Sequence, residues 1–181
     1  MEHETKYDPF VVGFYFDIIS TSNLFYVKKE VIESVLKMES DDRQYLWHPD
    51  YSNIFYSQGE TVGRIENWSF PQIDNFRFAL KESIYLIGEH NSNAKKQFFY
   101  ITDCVSESKK HDIKQFILFE EKMNLNVNIH FCGLDKYYQK QVLECVSDYG
   151  HSYKHIDVNQ EHCLSEYMMD CRKETTNGKK S

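Results

Sequence analysis

Residues 10–17 read FVVGFYFD, an apolar run without polar interruption that closes on an aspartate. Continuous apolarity over this length predicts a strand covered on both faces, the situation of a parallel sheet between helix layers. The polar cluster Ser20-Thr21-Ser22-Asn23 follows. Next comes LFYVKKEVIESVLKM, where Leu24, Val27, Val31, Val35 and Met38 fall near helical spacing. Residues Ser20 to Asn23 are placed to cap that helix. The opening unit is therefore strand, polar loop, helix.

The same unit returns downstream. Gln97 to Thr102 reads QFFYIT and again ends in an aspartate, Asp103. A polar loop over Ser106 to His111 leads to a predicted helix from Asp112 to Met123. Val127 to Phe131 predicts a third strand, broken at Cys132-Gly133, followed by a helix over Lys136 to Tyr149 and a weaker edge strand over Tyr153 to Val158. His162 to Cys171 predicts a last helix. Between the first two units, Tyr45-Leu46-Trp47 and Asn53 to Tyr56 predict short strands. Gly59 and Gly63 read as a turn or hairpin, and Asn75 to Ile87 reads as a helix with Phe76, Leu80, Ile84 and Ile87 on one face. Strand and helix alternating in this way pair in parallel through right-handed crossovers. The expected architecture is α/β, a three-layer Rossmann-like sandwich with a mostly parallel central sheet. It is one domain over residues 10–171, with a flexible N-terminus over 1–9 and a disordered tail over 172–181.

Composition narrows the function classes. The chain has 181 residues, 41% hydrophobic and 15% aromatic, enough to bury a core without metals or disulfides. The formal net charge is -7, which disfavours a broad nucleic-acid footprint. Its five cysteines are odd in number and lack C-x-x-C spacing, which fits reduced thiols in a cytoplasmic compartment, with the nucleus as the lesser alternative. The polar start MEHETKYDP is unlike a signal peptide, and no apolar run is long enough for a membrane span.

In open α/β sheets, ligands bind beyond the carboxyl ends of the strands. Asp17 and Asp103 fall there, with Ser20, Thr21, Ser22 and Thr102 nearby. Two carboxylates and several hydroxyls form a candidate site for Mg²⁺, which prefers oxygen ligands. The bland alternative is that both aspartates cap helix starts or accept from loop amides. The aromatic stretch Tyr45, Trp47, Tyr51, Phe55, Tyr56, Trp68 and Phe70 is irregular, and loops with exposed Tyr and Trp anchor interfaces. Ser20, Ser22, Tyr45, Trp47, Tyr51 and Trp68 are therefore the candidate partner-binding residues; packing beneath a long loop is the other reading of the aromatics. Cys104 has no histidine and acid evidently placed to activate it, and reads as a buried structural thiol.

The pattern resembles a von Willebrand factor A-like domain over roughly residues 10 to 170. That family's first strand ends in D-x-S-x-S, and Asp17-Ile18-Ile19-Ser20-Thr21 matches it at the aspartate and at the second hydroxyl, with Ile19 in place of the first. A later helix that typically reads like G-T-N-x-x-x-A-L is matched by Asp74-Asn75-Phe76-Arg77-Phe78-Ala79-Leu80, with Asp74 in the threonine's place. The family's later strand-end aspartate is matched by Asp103 in Tyr100-Ile101-Thr102-Asp103. The resemblance implies a divalent-cation site, the metal-ion-dependent adhesion site, made here by Asp17, Thr21, Asp74 and Asp103. It also implies a noncatalytic protein-interaction or scaffold role with a protein partner. The same family supplies modules to DNA-repair and transcription machines, so an accessory role in a nucleic-acid-processing complex is a further expectation.

A second resemblance is to haloacid-dehalogenase-like phosphatases, whose first strand ends D-x-D-x-T. Asp17 and Thr21 match, while Ile19 stands where the general acid would be. A Mg²⁺-dependent phosphohydrolase of this kind would also need a phosphate-cradling lysine. Lys109, Lys110 and Lys114 are near the right face.

Overall fold

β1 (Phe10–Asp17) is the strand that organises the molecule, and it is buried along its whole length. The computed structural model describes residues 9–47, 56–68, 76–90, 94–104, 106–135, 146 and 151–177. Alternate residues of β1 face opposite ways, as the period of a strand requires. Phe10, Val12, Phe14 and Phe16 enter one apolar cluster, and Val11 and Tyr15 enter another.

β1 is flanked by two parallel neighbours. β2 (Arg43–Leu46) registers Gly13 on Tyr45, and β3 (Lys95–Thr102) registers Asp17 on Thr102. β4 (Asn128–Gly133) and β5 (Ser152–His155) extend the sheet beyond β3, giving the order β2-β1-β3-β4-β5, with every pairing parallel. One antiparallel bridge, Gln44 to Tyr56, lies outside the named strands.

Helices cover both faces. On one face lie α1 (Thr21–Leu36), α2 (Gln58–Glu66) and α5 (Cys163–Asn177), contributing Leu24, Val27, Val31 and Val35, then Ile65, then Leu164 and Met168. On the other lie α3 (Phe76–Glu89) and α4 (Glu107–Met123), contributing Ala79, Leu80, Ile84 and Ile87, then Ile113, Phe116 and Ile117. Each fully buried large apolar side chain contributes about 1.5–3 kcal/mol by leaving water. That double coverage is why β1 and β3 carry no polar alternation.

Several local expectations need correction. Gly59 and Gly63 lie inside α2, not in a turn. Ser57 and Glu60 form a capping box at its start, and the helix sets Thr61 and Ile65 one turn apart on its buried side. α4 begins at Glu107, so the stretch read as a polar loop is its first turn, with the Ser106 hydroxyl accepting from the Lys109 N–H at 3.3 Å. β4 continues through Cys132 and Gly133. α5 runs on to Asn177, into the stretch expected to be a disordered tail. All but Val146, which is helical, of the expected helix over Lys136–Tyr149 and most of the expected strand at Asn53–Tyr56 lie outside the described residues.

Candidate functional site

The carboxyl ends of β1 and β3 are neighbours, and this brings Asp17 and Asp103 together. The Asp103 N–H donates to the Asp17 carbonyl oxygen at 3.3 Å. Both side chains are buried, and they do different work.

Asp103 holds the loop after β1. Its Oδ1 accepts the Ile19 N–H at 2.8 Å, and its Oδ2 accepts the Ser20 N–H at 2.9 Å and the Asn23 side-chain amide at 3.0 Å. Ser20 in turn caps α1, accepting from the Asn23 N–H at 3.4 Å, and its hydroxyl shares a hydrogen bond with Ser22 at 2.9 Å. Thr21 opens α1 on its exposed side. Ile19 is 73% exposed and Phe25 is 75% exposed, so two large exposed apolar side chains bracket the serines in sequence.

Asp17 is held by cationic and hydroxyl donors. Lys109 Nζ lies 2.7 Å from its Oδ1 and 2.9 Å from its Oδ2, and the Tyr100 hydroxyl donates to Oδ2 at 2.6 Å. Thr102 Oγ1 is 3.5 Å from the same oxygen and accepts the Cys104 N–H at 3.0 Å. Burial pulls the Lys109 pKa down, but the charge and hydrogen bond of Asp17 outweigh it and leave the ammonium harder to deprotonate than usual. Burial, then the Asp17 charge, pushes the Tyr100 hydroxyl well up. The same two causes raise the Cys104 thiol, which is buried and held protonated, as a structural cysteine should be.

A parallel five-stranded sheet with helices on both faces is also the setting for a likeness in overall fold to solved proteins. Proximal thread matrix protein 1 from the mussel byssus, described with a zinc-occupied MIDAS motif, superposes with a TM-score of 0.65 at 13% identity, over 91% of this chain and 46% of that one. The fold is von Willebrand factor A-like. The pilus adhesin SpaC from Lactobacillus rhamnosus GG, in its open conformation, gives 0.62 at 10% identity over 93% of this chain and 30% of its own. The SpRpn10 VWA domain gives 0.53 at 10% identity, over 90% of this chain and 94% of that domain. This chain thus spans less than half the length of the byssus and pilus proteins. No family model and no curated protein matches the sequence.

In a von Willebrand factor A-like site the expected metal ligands were Asp17, Thr21, Asp74 and Asp103. Asp17 and Asp103 are adjacent, Thr21 is on the exposed side of α1, and Asp74 lies outside the described residues. The oxygen atoms a divalent ion needs are already engaged: both of Asp17 by Lys109, both of Asp103 by N–H groups. A divalent ion sharing Asp17 with the ammonium would stand within about 5 Å of it and meet roughly 7 kcal/mol of repulsion at an effective dielectric of about 20. Of the expected ligands, Asp17 and Asp103 as arranged do not fit a bound Mg²⁺.

Among the described residues, one other group gathers metal-ligating atoms. Glu30, Glu33 and His162 bring theirs within 4.8 Å of one another. Glu30 is already committed there: its two oxygens accept the N–H groups of His162 at 3.0 Å and Ser165 at 3.1 Å, capping α5.

The expected aromatic interface also changes. Tyr45, Trp47 and Trp68 are buried, so they are core residues and offer no binding surface. Tyr45 and Trp47 pack under α3, with the Trp47 indole N–H donating to Glu82 at 3.0 Å, and Trp68 packs edge-on to Phe16 at 5.3 Å. Tyr51 lies outside the described residues. Ser20 and Ser22 remain at the rim of the sheet. Sequence reasoning missed Lys109 as the partner of Asp17 and Ile19 and Phe25 as exposed apolar residues. No helix among the described residues is long and apolar enough to cross a membrane.

Proposed function

We propose that this chain is a noncatalytic protein-interaction module that meets its partner through the loop after β1 and the first turn of α1. One observation carries this reading. Ile19 and Phe25, each about three-quarters exposed, bracket the Ser20 and Ser22 hydroxyls in sequence, on a loop that Asp103 fastens from beneath. Exposed apolar side chains beside polar ones, on a rigid support, are what a contact surface needs. The von Willebrand factor A-like fold supports the reading, since strand ends are where this architecture places ligands. Catalysis has less behind it. Asp17 is neutralised by Lys109, and Ile19 stands where an aspartyl phosphatase would keep its acid.

The test is affinity capture from the native host with the wild type and with an Ile19→Asp, Phe25→Asp double variant. Both substituted side chains are exposed, so the variant should fold, and circular dichroism checks that it does. The captured protein should disappear with the variant. Retention of the same captured set at full yield would overturn the reading. Phosphate release from generic phosphoesters, lost in Asp17→Asn, would replace it with the hydrolase alternative.

A further inference from the structure

We propose that the Lys109 ammonium is the resident cation of this site, supplying through a covalent tether the positive charge that a bound metal ion would otherwise bring to Asp17. The inference is independent of which partner, if any, the surface binds.

Three observations carry it. First, the ammonium is fully used. Its three protons face Asp17 Oδ1 at 2.7 Å, Asp17 Oδ2 at 2.9 Å and Cys104 Sγ at 3.3 Å, and the Phe76 ring lies 5.4 Å from it. A carboxylate offers about four lone-pair directions, and here Lys109 takes one on each oxygen while the Tyr100 hydroxyl takes another on Oδ2 at 2.6 Å.

Second, Lys109 sits where a lysine is locally unfavourable. It occupies the first turn of α4, next to the positive end of the helix dipole, where acidic residues such as Glu107 are preferred. The Ser106 cap fixes its backbone N–H. Asp17, reached from an element 92 residues away, is the compensating charge that makes this position tenable. Third, the loop that would complete a metal site is committed elsewhere. Asp103 spends both oxygens on Ile19, Ser20 and Asn23, and Ile19 points an aliphatic side chain into solvent where a hydroxyl ligand would be needed.

The test uses the full chain and Mg²⁺, Mn²⁺ and Zn²⁺ at millimolar concentration. A specific ion present at about a hundredfold its Kd raises Tm by about 5–10 °C in a chain of this size. The wild type should show no such rise that depends on Asp17. A rise that vanishes in Asp17→Asn would overturn the proposal. A rise of the same size in both proteins leaves Asp17 without metal and agrees with it. In parallel, Lys109→Met should lower Tm, and adding Asp17→Asn should recover part of that loss, because the uncompensated carboxylate is then gone. Strictly additive losses in the double variant would show that the two groups do not hold each other, and would overturn the proposal as well. If Lys109→Met does not fold, the wild-type metal titration still decides.

Discussion

The Asp103 carboxylate accepts the backbone N–H of Ile19 at 2.8 Å across 84 residues of sequence, so the end of one central strand anchors the loop leaving the other. The same side chain takes the Ser20 N–H and the Asn23 amide. Hydrogen bonds to an ionised acceptor are among the stronger ones, and losing all three should cost about 2–4 kcal/mol. Asp103→Ala should therefore shift the urea midpoint down by that equivalent, while Asp103→Asn, which keeps one acceptor, should lose less. Equal stability of Asp103→Ala and wild type would mean that the loop supports itself.

At Gly13 the Ile87 side chain of α3 lies directly over the β1 backbone. A Cβ built there would lie 2.1 Å from Ile87 Cδ1 and 2.9 Å from Phe98 Cδ2. Overpacking of this kind typically costs about 1–3 kcal/mol. Gly13→Ala should fall in that range by chemical denaturation, and Ile87→Val in the same chain should return part of the loss by withdrawing the nearest carbon. A second substitution that adds its own full cost would argue that Ile87 is not the obstacle.

His130 provides a pH dependence of known sign. Its ring stacks on Phe99 at 4.7 Å, its Nδ1 lies 3.4 Å from the Tyr167 hydroxyl and 3.6 Å from Cys171 Sγ, and its buried Nε2 has no partner among the described residues. Burial, helped by the neighbouring His151, lowers its pKa from 6.5 to about 4. The folded state thus keeps the imidazole neutral while the unfolded chain protonates it near its ordinary value. The contribution is complete above pH 6.5, declines as pH falls toward 4, and changes no further below that. Its full size is about 3 kcal/mol. Urea unfolding at pH 7 and at pH 4.5 should show a smaller drop for His130→Phe than for the wild type. Equal drops would mean that the native imidazole takes up its proton.

Glu30 is fully buried within α1, yet both oxygens are used at the start of α5. Glu30→Ala removes the acceptor of the His162 and Ser165 N–H groups and leaves the second unpaired in the interior, at about 1–3 kcal/mol, enough to lower Tm by several degrees. Glu30→Gln should fall between the two in a thermal scan. A Glu30→Ala melting curve that overlays the wild type would show that water replaces the cap.

The elements that the sequence revealed are those whose burial is two-sided. FVVGFYF and QFFYIT admit no helical face and no exposed edge, so both central strands and the aspartates closing them were legible. The region before α3 was harder, because Gly59 and Gly63 read as breaks while the Ser57–Glu60 capping box, equally visible, outweighs them. α4 was read too short because its first turn is polar and buries little. Lys109 could not be assigned to Asp17 by any local pattern, since the pair is made by the register of β1 on β3 and not by spacing along the chain. Tyr45, Trp47 and Trp68 carry the same residue types in a core as in an interface, and only the placement of α3 and α1 over the sheet separates the two.

The order in which the polypeptide is made gives the β1–β3 pairing a temporal meaning. Synthesis delivers the N-terminal part first. Until residues 95–109 have emerged, β1 has only its short partner β2, and Asp17 has none of Tyr100, Thr102 or Lys109 to receive it. The nascent chain therefore carries its most apolar strand without its principal neighbour while the residues between Asp17 and Lys95 are added, which is when a chaperone has most to protect.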